Sequence, residues 1–223
     1  MPHEPTGDAE TCREVWYGAT AAPQLLHLHT HKIIGGLMNA NVVRARELAK
    51  QGQYDQAYEV YQAALAEDPE DRDLLFGFLS LLVEMKHYVE AIPICERLAA
   101  YWRGVRFYGH AVIFYVHAYA YFFQYAAHMQ DRFGHLPLRL AEVFKEICTT
   151  TGPFTQTAIR NALATRGNRE ATEDALIDLL GKIIALDRND PFPHQCRLDV
   201  FVRLGHSHHA DEQRRILEQL AAR

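Results

Sequence analysis

Residues 38–71 and 72–105 carry one 34-residue pattern twice, and that pattern restricts the chain to closely packed helix pairs. In the first unit, Ala45 and Leu48 take the inward positions of one helix, and Ala57, Tyr61 and Ala64 those of the next. Gly52 and Tyr54 mark the turn between them, and Pro69 marks the exit. Residues three, four and seven apart lie on one helix face, so the small side chains form a stripe along which two axes can approach closely. A proline beyond that stripe removes a backbone donor and stops the second helix. The second unit repeats the scheme. Leu75, Phe78, Leu79 and Leu82 point inward on its first helix, and Met85, Tyr88 and Ala91 mark the turn and the start of its second. Ile92, Cys95 and Leu98 continue the stripe, while Arg103 stands where an exit proline is expected.

This spacing is similar to the tetratricopeptide repeat. The resemblance implies an all-α fold of about ten helices in antiparallel pairs, curving into a short α-solenoid. It also implies binding of a protein or peptide partner, because the first helix of each pair in such repeats lines a concave groove suited to an extended peptide or a partner helix. Carried onto this chain, the family's groove positions are Asn39, Val42, Arg46 and Lys50 in the first repeat, and Asp73, Phe76, Ser80 and Glu84 in the second. The clamp by which chaperone-binding members hold a terminal carboxylate needs Lys and Asn at groove positions. Val42, Arg46 and Gly77 stand there instead, which argues against that ligand class.

Outside the two clear repeats the signals thin out. Pro2, Pro5 and Gly7 predict poor order over 1–20, with Trp16 and Tyr17 as an anchor at its end. The helical domain is expected over 21–223, beginning with a helix near 23–38 that Gly35 and Gly36 weaken. Residues 130–190 form a degenerate middle without clean register. In it, the Thr-Gly-Pro-Phe run at 151–154 predicts a helix stop and restart, followed by helices near 154–165 and 170–187 with a loop at 164–170 between them. A last helix pair is expected at 191–223, where Leu204, Gly205 and Ala210 repeat the turn signature and Leu217 and Leu220 extend the apolar stripe. With the Ile-Ile-Ala-Leu-Asp-Arg-Asn-Asp run before it, this pair also resembles the bacterial transcriptional activator domain. That resemblance implies a regulatory or signal-receiving module that would need a partner able to read DNA.

Residues 107–129 contain no Asp, Glu, Lys or Arg, and nine of the 23 are aromatic. Five tyrosines, three histidines and a glutamine make the segment too polar for a membrane span, so a central buried helix is expected. At 100° per residue, His110, His117 and His128 fall within about 20° of one line, with Tyr121 and Gln124 beside it. Such a polar stripe meets water or an internal hydrogen-bond network, or else lines a ligand groove. His110 and His117 are roughly 10 Å apart along the axis, too far to share one ion unaided. His27, His29 and His31 share a face only on a strand, and His206, His208 and His209 fall at a predicted turn, so neither cluster is assigned a metal. No metal or cofactor is expected.

A formal charge of −5 gives no overall basic face, which argues against direct nucleic-acid binding, and 48% apolar with 23% charged residues is an ordinary globular composition. The N-terminal sequence lacks the apolar stretch of a secretory signal. Cys12, Cys95, Cys148 and Cys196 form no CxxC pair, which suits reduced thiols in a cytoplasmic protein. Phosphate loop, nucleophile elbow and HExxH are absent, so an enzyme is not expected, although residues that meet only on folding leave that route open. The expected function is therefore a cytoplasmic adaptor or scaffold that binds a protein or peptide in its groove, with no membrane partner. Exposed aromatic surface leaves self-association open. The alternatives are a regulatory module of a transcription system, or a ligand- or metal-binding helical protein, or a divergent enzyme, that uses the His110/His117/His128 stripe.

Overall fold

The computed structural model describes residues 39–166 and 173–223. The expectations for residues 1–38, including the Trp16 and Tyr17 anchor, the helix at 23–38, the His27, His29 and His31 cluster and Cys12, lie outside the described residues. So does the 167–170 part of the expected loop.

Eleven helices and no strand occur among the described residues. They are α1 (Ala40–Lys50), α2 (Tyr54–Glu67), α3 (Arg72–Glu84), α4 (Tyr88–Gly104), α5 (Tyr108–Tyr125), the single turn α6 (Gln130–Phe133), α7 (Leu136–Thr150), α8 (Pro153–Arg166), α9 (Glu173–Leu186), α10 (Pro191–Leu204) and α11 (Ser207–Ala221). The all-α array of antiparallel pairs expected from the repeat spacing is present.

Local chemistry sets the helix ends. Asn39 caps α1 by accepting the Asn41 N–H at 2.9 Å, and its amide donates to Asp71 Oδ2 at 2.8 Å. Asp71 in turn caps α3, accepting the N–H groups of Asp73 and Leu74 at 2.8 and 3.0 Å. Two successive repeats thus share one capping unit, with each side chain satisfying donors that a helix start leaves unpaired. α10 begins with Asp190 as cap and Pro191 in the first position, and ends at Gly205 with φ of 73°. This pairing of proline at the start and glycine at the stop is the common asymmetry of helix ends.

The inward stripes pack as the spacing requires. Ala45, Ala57, Tyr61 and Ala64 are buried between α1, α2 and α3, and Leu75, Phe78, Leu82, Ala91, Ile92, Cys95 and Leu98 continue the core through α3 and α4. α1 packs on α2, α2 on α3, α3 on α4 and α4 on α5. The first helices of the pairs also touch: α1 meets α3, and Phe76 of α3 meets Phe114 of α5 edge to face at 5.4 Å.

Beyond α5 the order of packing changes. α5 is apolar on nearly every side, and it is covered by α4, α7, α8 and α9 together. α8 reaches past its sequence neighbours to pack on α10, and α10 also meets α7, α9 and α11. The degenerate middle is therefore the part of the chain that wraps α5, which is why it lacks the register of a nearest-neighbour repeat.

Candidate functional site

The first-helix face begins with α1. Val42 is fully buried there, so it packs α1 onto its neighbours and is not a groove residue. Asn39 is committed to capping, and Lys50 is an exposed side chain paired with Glu47 at 2.7 Å. Arg46 lies half-buried beside the Tyr61 hydroxyl, where its guanidinium opposes the upward shift that burial imposes on the phenol. On α3, Asp73 holds Arg72 at 2.9 Å, Ser80 donates to the Phe76 carbonyl at 3.0 Å, and Glu84 accepts from the Tyr54 hydroxyl at 2.9 Å. Phe76 is half-buried between Trp102 and Phe114.

The predicted polar stripe divides into three parts. His110 stacks on Trp102 with ring centroids 4.6 Å apart, and His117 packs near Phe114 and Tyr121. Tyr121 reaches Tyr88 of α4 at 5.4 Å. These three residues are half-buried and belong to an aromatic seam between α4 and α5. Gln124 is exposed near the end of α5. α5 stops at Tyr125, so His128 lies in the following turn and leaves the helical line on which the sequence placed it. Ala126 and Ala127 favour helix by themselves, so local propensity does not end α5: Ala126 is fully buried and its backbone turns to φ −135° and ψ 21°, which takes His128 off the helical line.

A second polar cluster was not legible in the sequence. The Tyr119 hydroxyl of α5 donates to Asp178 of α9, and Lys182 Nζ donates to both, at 2.8 Å to the Tyr119 oxygen and 2.7 Å to Asp178 Oδ2. Burial, reinforced by the hydrogen bond to Asp178, pushes the Tyr119 phenol up to about 12. These residues stand 59 and 63 positions apart, and no local motif announces a contact at that range. Arg103, at the place of the missing exit proline, holds Glu142 and Glu146 of α7 at 3.0 and 2.5 Å. Those carboxylates raise its pKa further.

At the start of α11, His206 and His209 lie beside Phe201 and His208 lies against His209, all three histidines exposed. Among the described residues no group of three or more His, Cys, Asp or Glu is placed to hold a metal ion. None of the described helices is long and apolar enough to cross a membrane.

The paired helices, with α1 on α3 and α3 on α5, define a helical-repeat protein. Within it, residues 48–102 match the family model described as tetratricopeptide repeat, so the chain carries this repeat from the end of α1 to the end of α4. Tetratricopeptide repeats in general mediate protein–protein interaction. Two similar solved structures are crystal structures from Podosopora anserina, of the nearly identical TPR-like repeats of a protein named for the kinesin light chain, the second being a single-residue variant of those repeats. Each is 14% identical to this chain over 83% of its length, with TM-scores of 0.32 and 0.33 respectively, and 95% and 93% of the two neighbours is covered. No curated protein matches the sequence.

Proposed function

We propose that the chain is an adaptor or scaffold that holds a peptide or a partner helix on the first-helix face of α1, α3 and α5. The observation that carries this reading is the contact of these three helices in series, α1 on α3 and Phe76 of α3 on Phe114 of α5, within and beside the matched repeats. Arg46, Lys50, Asp73, Ser80 and Glu84 offer mixed charge and hydrogen-bonding groups along that face, and Phe76 offers an aromatic edge. A surface that mixes aromatic, cationic and polar groups suits side-chain recognition along an extended or helical segment. A protein that works in the cytoplasm fits this reading, since Cys95, Cys148 and Cys196 are not joined in disulfides among the described residues.

The test is site-specific photocrosslinking in cells. A photoreactive residue at Ser80 or Lys50 is expected to capture the same partner, and one at Glu59, exposed on the second helix of the pair, is not. The variant pair Arg46→Ala and Phe76→Ala, with helicity and melting checked, is expected to weaken that partner by tenfold or more, which is about 1.4 kcal/mol. Capture from Glu59 alone, or unchanged affinity in a folded double variant, would place the interaction elsewhere.

A further inference from the structure

We infer that the groove between α9 and α10 binds a single carboxylate, held by Arg197 and Lys182 over Gly181. This site is separate from the first-helix face and does not depend on it. The groove has a volume of about 380 Å³ and is lined along one side of α9 by Asp174, Ile177, Asp178, Gly181 and Lys182, with Arg197 of α10 across from them.

Three observations carry the assignment. The first is the state of Arg197. Its guanidinium carbon lies 5.3 Å from the centroid of the Phe201 ring. Its Nε–H is buried and has no acceptor among the described residues. Glu212 and Asp178 act on it only through their fields, while burial lowers its pKa. A buried guanidinium N–H without an acceptor is costly, and a carboxylate is the group whose two oxygens match the planar donors of an arginine.

The second is Gly181. It lies in the interior of α9, where glycine costs about 1 kcal/mol relative to alanine. Packing does not require it: an added Cβ would meet only the Arg197 guanidinium, at 3.8 and 3.9 Å, which is ordinary contact. The missing side chain keeps the α9 surface beside the Arg197 guanidinium low, with no other heavy atom within 4 Å of the place a Cβ would take.

The third is the charge around the groove. Asp178 and Tyr119 take two of the three Lys182 Nζ donors, so Asp178 is committed while Lys182 keeps one donor and the Arg197 Nε–H has no acceptor among the described residues. Asp174, Asp178 and Glu212 nearby repel a multivalent anion, which favours one carboxylate over a phosphate.

The experiment is a titration of the full chain, labelled with ¹⁵N and followed at the Gly181 amide and the Arg197 side-chain N–H. The probes are sodium acetate, with sodium chloride, acetamide and inorganic phosphate as comparisons. Saturable shifts with acetate alone are expected. Arg197→Gln removes the anchor, and Gly181→Leu fills the floor while keeping both cations, so each is expected to weaken acetate by roughly tenfold or more. Two further probes separate the sources: a short peptide with a free C-terminal carboxylate, and an amidated peptide bearing one Asp. Tighter binding of the first identifies a chain end as the ligand, tighter binding of the second an acidic side chain, and binding no tighter than acetate a small free carboxylate. The proposal is overturned if acetate gives no saturable shift at Gly181, if Arg197→Gln and Gly181→Leu bind as well as the parent, or if phosphate binds more tightly than acetate.

Discussion

The Tyr61 hydroxyl lies where the side chain of residue 77 would begin. A Cβ built on Gly77 falls 2.3 Å from Tyr61 Oη, 2.7 Å from Cζ and 2.8 Å from Cε1. Tyr61 comes from α2 of the first repeat and Gly77 from α3 of the second, so this contact fixes how closely the two repeats approach. Gly77→Ala is expected to cost about 1–3 kcal/mol, as overpacking of a rigid site does. Tyr61→Phe should rescue little of that loss, because the ring carbons clash as well as the oxygen. Urea unfolding of the two single variants and the double variant checks both statements, and full rescue by Tyr61→Phe would show that only the hydroxyl matters.

The turns carry a second expectation. Gly52 and Lys86 occupy the same place in successive repeats, and both have positive φ, 75° and 60°. Arg106, between α4 and α5, has φ of 63°. The left-handed region suits glycine and costs a residue with a side chain about 1–2 kcal/mol. Lys86→Gly and Arg106→Gly are therefore expected to stabilise the protein by about 0.5–1 kcal/mol each, after allowing for glycine's greater freedom in the unfolded chain. Gly52→Ala is expected to destabilise it by a similar amount. Thermal melts of the three variants decide the matter, and a lower melting temperature for Lys86→Gly would contradict it.

Alkaline pH probes the Tyr119–Asp178–Lys182 cluster. The folded phenol is held up to about 12 against an ordinary value of 10, first by burial and then by its bond to Asp178. Because the folded value is the higher one, the stabilisation is complete below pH 10 and is lost as pH rises from 10 through 12, where the unfolded chain releases the proton first. Tyr54, Tyr58, Tyr61 and Tyr115 are raised as well and act in the same direction. The parent should lose stability across that window, and Tyr119→Phe should lose less. Equal slopes in denaturant melts at about pH 9 and 11 would remove Tyr119 from the account.

Thiol chemistry gives a further check. Cys95 and Cys196 are buried, and desolvation raises the Cys196 thiol well above its ordinary value. Cys148 is exposed, yet burial of its thiol and the nearby Asp190 push it up to about 11. The thiolate is the reactive form, so Cys148 is expected to alkylate more slowly than a free thiol at about pH 8, and Cys95 and Cys196 only on unfolding. Mass spectrometry of the native protein after timed alkylation measures this. Rapid labelling of Cys196 would show that α10 opens readily.

The helix pairs could be read from the chain because each reports its own geometry locally. Ala45, Ala57, Tyr61 and Ala64 recur at helical spacing, Gly52 and Pro69 punctuate the ends, and the same intervals return 34 residues later. The same local rules placed the helices at 153–166 and 173–186 to within a few residues. Other features depended on contacts between distant positions, which no local period encodes. Val42 fits a groove position by count, but the approach of its neighbours buries it completely. His110, His117 and Tyr121 share a helix face by angle, and only the arrival of Trp102 and Tyr88 from α4 made that face an aromatic seam. Tyr119, Asp178 and Lys182 meet because α9 folds back over α5, and Arg197 faces Gly181 because α10 packs beside α9. In the two clear repeats and the last pair, the sequence by itself determined where helices start, stop and turn an apolar stripe inward, since backbone capping and helical period act over a few residues. The tertiary structure alone decided which polar side chains end up buried, paired or facing a groove, since that depends on which helices become neighbours.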